Sequence, residues 1–288
     1  MTRCITAICA IVVLFAAGCG GSDAPVSSAP KAEPKNKVVR CAVIGGMTMT
    51  GLWDEVADMF EAETGYEVQA VASGQRPKLA QIMREGKADL LTMHSGDITT
   101  DVVAEGLAVR MRPWAHNELV LVGPNSDPAG VRGMKSGAAA LKRIAETQSN
   151  FVDFPSNGTR EVCHTLWRIA EITPMGPWFL QDESGDHLDV VKFACEHNAY
   201  VVIGRMPVLF EKVESEGMEI MVEGDPAMQR PYVVMEASPK TFPDANHEGA
   251  RALSDFLVSE KVQNFLSTFR AEEFNGLPLF YPLKSRQK

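Results

Sequence analysis

The chain has 288 residues, 45% of them apolar and 23% charged, with 37 acidic against 28 basic side chains and a net charge of −9. That composition fits a globular protein long enough for one large domain or two α/β lobes with separate cores. It argues against a nucleic-acid partner, whose phosphates reward clustered Lys and Arg, and no apolar stretch after the first twenty residues is long enough to make the body a channel.

The N-terminus places one basic residue, Arg3, before an apolar run from Ile5 to Phe15 and the small residues Ala16-Ala17-Gly18. The run is short for a membrane span and has the layout of a secretory signal. Ala16-Ala17-Gly18-Cys19 resembles the lipobox of bacterial lipoproteins. The resemblance implies removal of residues 1–18, acylation of the Cys19 thiol and an exported protein anchored to a bacterial membrane, facing the periplasm or the cell exterior. Residues 19–37 are Gly, Ser, Ala, Pro and Lys with scarcely a bulky apolar side chain, which predicts a flexible tether.

Folding is expected to begin at Val38. Val38 to Ile44 reads as a buried strand, followed by the Gly45-Gly46 turn and a helix from Gly51 to Thr64 with Leu52, Val56, Met59 and Phe60 on one face. The alternation continues with a strand at Tyr66 to Ala72, a helix at Lys78 to Glu85, a strand at Ala88 to Met93, a helix at Ile98 to Glu105 and a strand at Glu118 to Val122. Pro and Gly punctuate residues 124–137, so a lobe boundary is expected near 117–130. A second alternating set follows: helices at Ala138 to Thr147, Thr159 to Glu171 and Leu188 to Glu196, and strands at Phe151-Val152 and Tyr200 to Ile203. Short strands at Glu219 to Val222 and Tyr232 to Ala237 precede two amphipathic helices, one through Ala250, Leu253, Phe256 and Leu257, the other through Val262, Phe265, Leu266 and Phe269.

Four loops fall just past the ends of these strands, where α/β sheets bind ligands: Gly45 to Gly51, Ser73-Gly74-Gln75, His94-Ser95-Gly96 and Pro155 to Arg160. Thr48 and Thr50 suit either ligand contact or helix capping. Asn157 and Thr159 open a helix, where free N–H groups form an anion site or a plain cap. The six histidines show no metal-binding spacing, and no G-x-S-x-G nucleophile elbow occurs, so neither metal, cofactor nor enzyme activity is expected. Of the cysteines after Cys19, Cys41 lies in an apolar run, so if a bridge forms it favours Cys163 with Cys195.

Several phrases, in order, resemble the tungstate-binding proteins of ABC importers: Thr50-Gly51-Leu52-Trp53-Asp54, Ala104-Glu105-Gly106, Arg112-Pro113-Trp114, Asn117 to Pro124, Asp127-Pro128-Ala129-Gly130, Gly158-Thr159, Glu223-Gly224-Asp225-Pro226 and Tyr232-Val233-Val234. The resemblance spans Val38 to Pro282. It implies a type II periplasmic binding protein fold, α/β, with two mixed or parallel sheets in two lobes. Residues 38–119 and 231–288 would form one lobe and 120–230 the other, joined by a double hinge at Asn117 to Gly123 and Arg230 to Met235. The implied function is a monomeric, lipid-anchored capture component that delivers a small-molecule or oxyanion ligand to an ABC permease. A binding protein reporting to a membrane receptor is the alternative, and an enzyme on the same fold a more remote one.

The implied cleft contains Gly45, Gly46, Thr48, Ser73, His94, Ser95, Asn157, Thr159 and Arg205, with Asp153 and Phe154 deciding the class of ligand. Two positions depart from the family pattern. Ile44-Gly45-Gly46-Met47 stands where the family carries consecutive threonines and a serine, and Asp153-Phe154-Pro155 where it carries Ser-Arg. Arg205 matches a family arginine, and Arg160 or Arg76 is positioned to compensate in part. An aspartate in the cleft repels an anion, which predicts a small organic or amine-bearing solute in place of a bare oxyanion.

Overall fold

β1 (Val38–Ile44) is buried along most of its length, as its β-branched composition predicts. The structure, a computed structural model, describes residues 36–155, 157–182, 189–210 and 216–283, with the Asn157 side chain outside that description. The signal segment, Cys19, most of the tether and Ser156 therefore lie outside the described residues. After β1 the chain enters α1 (Gly45–Met49), where an open turn was expected. The hydroxyls of Thr48 and Thr50 donate to the carbonyls of Gly45 and Gly46 at 3.0 and 2.8 Å and hold this short turn closed. α2 (Leu52–Thr64) starts and stops at Gly51 and Gly65, both left-handed, and buries Leu52, Trp53, Val56 and Phe60.

β2 (Glu67–Gly74), α3 (Arg76–Arg84), β3 (Leu90–His94) and α4 (Asp97–Ala104) complete the first alternating set. β1 pairs in parallel with β2 and with β3. The strand expected at Glu118 to Val122 is the second half of β4 (Ala108–Pro124), 17 residues long. Its first half escaped periodicity because the ladder shifts register between Val109 and Arg112 and again between Pro113 and Ala115, with Arg110 at φ 53°. No break falls at residues 117–124; the backbone runs through them as strand.

α5 (Gly137–Thr147), β5 (Phe151–Asp153), α6 (Asn157–Ile169), β6 (Phe179–Gln181), α7 (Val190–Glu196), β7 (Tyr200–Gly204), α8 (Arg205–Leu209), β8 (Met218–Val222) and β9 (Gln229–Ala237) follow. β6 and α8 had no counterpart in the sequence pattern, being three and five residues long. The strands form one nine-stranded mixed sheet in the order β2-β1-β3-β9-β4-β7-β5-β6, with β8 on β4. This replaces the expected pair of separate sheets, because β4 serves both ends. Its residues 108–118 pair antiparallel with β9, and 119–124 pair antiparallel with β7 and β8.

The apolar core changes at the same places. One core runs through Val39, Trp53, Leu91 and Trp114, then through Val234, Leu253 and Phe280, with α9 (His247–Leu257) and α10 (Glu260–Leu266) packed into it. Between Leu119 and Met228 the period-two alternation of the strands divides the apolar side chains into two further cores on opposite faces. Leu119, Leu121, Tyr200 and Val202 face α5 and α6; Val120, Val122, Val201 and Ile203 face α7. Cys163 on α6 and Cys195 on α7 thus lie on opposite faces of the sheet. Together with Cys41 they are free thiols, so the favoured Cys163–Cys195 bridge is not formed.

Candidate functional site

Strand ends and the two strands shared between the cores converge on a cavity of about 480 Å³. The ends of β1, β2, β3 and β7 bring Ile44 with Gly45 and Gly46, Gly74 to Arg76, His94, and Ile203-Gly204; α6 adds Gly158 and Thr159. β4 and β9 contribute Asn117 and Leu119, Arg230 and Tyr232. Register alone makes two of these contacts. Asn117 stands opposite Arg230 on the β4–β9 ladder, and His94 stands opposite Tyr232 on the β3–β9 ladder, where the two rings stack with centroids 4.1 Å apart.

The positive charge of the cavity comes from Arg76 and Arg230, side chains only 13% and 12% exposed. A Cβ placed on Gly96 would lie 2.8 Å from Nη1 of Arg76 and 3.4 Å from Nη2 of Arg230, so both guanidinium groups close around one point. Gly96 has φ 151°, a conformation that residues with a side chain rarely adopt. Arg230 donates to the Ser95 carbonyl at 2.8 Å and stands 3.9 Å from the exposed carboxylate of Glu161. Its Nε is buried without a hydrogen-bond partner among the described residues. Arg76 reaches the exposed Asp97 at 3.2 Å. Burial, then the neighbouring Arg76, lowers the Arg230 pKa. His94 is held well below its usual value by burial first and then by Arg230 and Arg76, with Asn117 opposing the shift. The imidazole is therefore neutral near pH 7 and lies against two cations.

Of the residues expected in the cleft, Gly45, Gly46, His94 and Thr159 line this cavity. Thr48 and Ser73 lie beside it, their hydroxyls bonded to each other at 2.7 Å. Ser95 contributes its backbone, accepting from Arg230 and donating its N–H to the Pro231 carbonyl. Asn157 begins α6, with its side chain outside the described residues.

Arg205 is elsewhere. It is 2% exposed and donates to Glu223 at 3.2 Å and to the carbonyls of Pro278 and Phe274, with the carboxylate of Glu118 at 3.7 Å. Glu118 is itself held by the Tyr281 hydroxyl at 2.6 Å and the Gly224 N–H. Burial raises its pKa, and these partners and Arg205 pull it back. Arg205 therefore ties the C-terminal segment to β4 and to the residues after β8.

Asp153 and Phe154 also lie away from the cavity. Asp153 is buried against Arg160 at 2.7 Å, and Phe154 packs in the core beneath α7. The aspartate that was expected to repel an anion ends β5 and is neutralised by Arg160 of the following helix, α6. It borders a separate hollow of about 620 Å³, lined only by residues between 153 and 181. Sequence reasoning missed Arg230, Asn117 and Tyr232 as lining residues because they stand in strands read as lobe crossings. A lone arginine ahead of the apolar run from Tyr232 to Met235 was the available signal for the first.

The sequence model of a family described as bacterial extracellular solute-binding protein matches residues 41–152. The tungstate-binding protein TupA of Peptoclostridium acidaminophilum is 31% identical over 98% of this chain and 99% of its own length. The chain belongs to the TupA family of extracellular solute-binding proteins. This solute-binding protein is also 30% identical to a putative ABC transporter anion-binding protein of Haloferax volcanii, over 81% of this chain and 68% of that one. Among solved structures, tungstate-binding TupA of Desulfovibrio alaskensis superposes with a TM-score of 0.71 at 27% identity, covering 86% of this chain and 99% of that one. The tungstate ABC transporter structure of Geobacter sulfurreducens gives 0.65 at 25% identity, with 81% and 99% coverage. The solute-binding protein is thus a binding component and not an enzyme, on a mixed α/β fold shared with these structures.

Proposed function

We propose that this solute-binding protein captures an anion for an ABC importer, from the outer side of a membrane to which Cys19 anchors it by lipid. The observation that carries the reading is that two largely buried guanidinium groups, Arg76 and Arg230, line the cavity and both approach Gly96, so that an anion between them relieves their repulsion. The names of the relatives point the same way: tungstate for two TupA proteins and an anion for the Haloferax protein. Residues 38–119 with 231–288 act as one lobe and 120–230 as the other. The change of core between Ala115 and Leu119 in β4, and between Met228 just before β9 and Tyr232 within it, supports hinges at those strands. Residues from both sides meet in the cavity, so closing them together encloses the ligand.

An amine-bearing ligand has lost its support, since Asp153 is paired with Arg160 and does not line the cavity. The test is a thermal-shift series on the purified protein with tungstate, molybdate, sulfate, short alkanesulfonates and diamines. Stabilisation by anions and none by diamines is expected; the reverse ranking refutes the reading.

A further inference from the structure

We propose that Asp97 and Glu161 are built-in competitors of the ligand: each carboxylate offsets one cavity arginine, and an incoming anion binds against their repulsion. The proposal rests on the anion reading above and assigns the residues that hold its affinity down.

The balance of charge around the cavity is the first observation. The charged side chains among its described lining residues are Arg76 and Arg230, with no carboxylate beside them. Two largely buried cations need counter-charge, and the fold supplies it from just outside the lining. Arg76 Nη1 donates to Asp97 Oδ1 at 3.2 Å, and Arg230 Nη2 stands 3.9 Å from Glu161 Oε2. Other carboxylates near the strand ends are committed elsewhere, Asp153 to Arg160 and Glu118 to the Tyr281 hydroxyl and the Gly224 N–H.

The second observation is how loosely these two pairs are made. Structural pairs in the same fold close at 2.6 and 2.7 Å on buried carboxylates, Arg40 on Asp89 and Arg160 on Asp153. Asp97 and Glu161 are 59% and 64% exposed, so water takes over the carboxylate when a ligand takes the arginine. Arg230 Nε is buried without a hydrogen-bond partner among the described residues, a donor that neither acid uses.

Placement is the third. Asp97 opens α4 directly after Gly96, the residue that both guanidinium groups approach, and its Oδ1 also accepts from the Ile98 N–H at 2.8 Å. Glu161 follows Gly158 by three residues on α6, which puts it on the helix face that meets Arg230. Both charges reach the same cation: burial and Arg76 lower the Arg230 pKa, while Glu161 and Asp97 push it back up. A ligand anion therefore meets two arginines that attract it and two carboxylates that repel it. Amides at 97 and 161 keep the shape of the side chains and remove the repulsion.

The experiment is titration calorimetry of the purified protein with tungstate at low salt and at about 0.5 M sodium chloride, where the screening length is only a few ångströms. Asp97→Asn and Glu161→Gln should each tighten Kd about two- to fourfold at low salt, and the double variant by about the product. The gain should vanish at high salt, and Glu161→Asp, which keeps the charge, should stay closer to the wild type than Glu161→Gln. Glu171→Gln makes the same change in net charge past the far end of α6, about 15 Å along the helix and beyond the screening length of about 10 Å at 0.1 M, and should leave Kd unchanged. If the two amides leave tungstate affinity unchanged or weaken it, the carboxylates do not compete, and the inference falls while the anion reading stands. The same holds if their gain persists at high salt or Glu171→Gln reproduces it. If the wild type binds none of tungstate, molybdate and sulfate, both fall.

Discussion

A methyl group added at Gly158 would lie 1.9 Å from Nη1 of Arg230, 2.4 Å from its Cζ and 3.0 Å from Nη2. The guanidinium must retreat by about 1.5–2 Å to reach ordinary contact distance. A shift of that size breaks the 2.8 Å hydrogen bond from Arg230 to the Ser95 carbonyl and withdraws the cation from the point it shares with Arg76. Loss of one charge-assisted hydrogen bond to a ligand costs roughly 1.5–3 kcal/mol, which is about 10- to 150-fold in Kd. The backbone responds in the opposite direction. Gly158 lies in α6 outside the left-handed region, where alanine adds about 0.4–1 kcal/mol of stability, and the displaced atoms are the free end of a long side chain. Gly158→Ala should therefore melt at or slightly above the wild-type temperature while binding anions at least tenfold more weakly. Thermal melts and calorimetry with tungstate and butanesulfonate measure the two quantities separately. An affinity within twofold of wild type would show that Arg230 does not touch the ligand, and a drop of several degrees in Tm would make Gly158 a packing position.

Arg205→Ala should cost about 3–5 kcal/mol in urea unfolding, because it leaves Glu118 buried without its cation. A weaker affinity at unchanged stability would instead return Arg205 to the ligand. Because burial and two arginines hold His94 below its usual pKa, the unfolded chain takes up a proton below about pH 6.5 that the folded chain does not. Stability is therefore full above that pH and declines as pH falls through it, by up to ~1.4 kcal/mol per unit from this residue. His94→Gln should flatten the profile between pH 6.5 and 5, and an unaltered slope refutes the assignment. In a thiol assay on the body of the protein, Cys195 should react in the native state, Cys41 and Cys163 only after unfolding, and no Cys163–Cys195 disulfide should survive peptide mapping.

The strands and helices built on strong local patterns were legible because burial of one face dictates the periodicity. β1, α2 and α6 lie within two residues of expectation, and the strand Tyr200–Gly204 extends the expected one by a single residue. The first half of β4 was not legible. Its two register shifts break the alternation. The site divides in the same way. Gly45, Gly46, His94 and Thr159 follow from the rule that ligands bind past strand ends. Arg230 and Asn117 do not, since they sit within strands and become neighbours through pairing with partners more than a hundred residues away.

By itself the sequence determined an α/β chain, a binding protein's family and the strand-end loops that border the cavity, because composition, local periodicity and ordered phrases are all properties of neighbouring residues. The tertiary structure decided which charges line the cavity. Arg205 and Asp153, conspicuous in the chain, are neutralised by Glu223, Glu118 and Arg160, whereas Arg76 and Arg230 are brought to one point by a sheet that joins β3, β9 and β4. Whether a charge lines a cavity or ties the fold together depends on its neighbours in space, which long-range strand pairing fixes and local sequence does not.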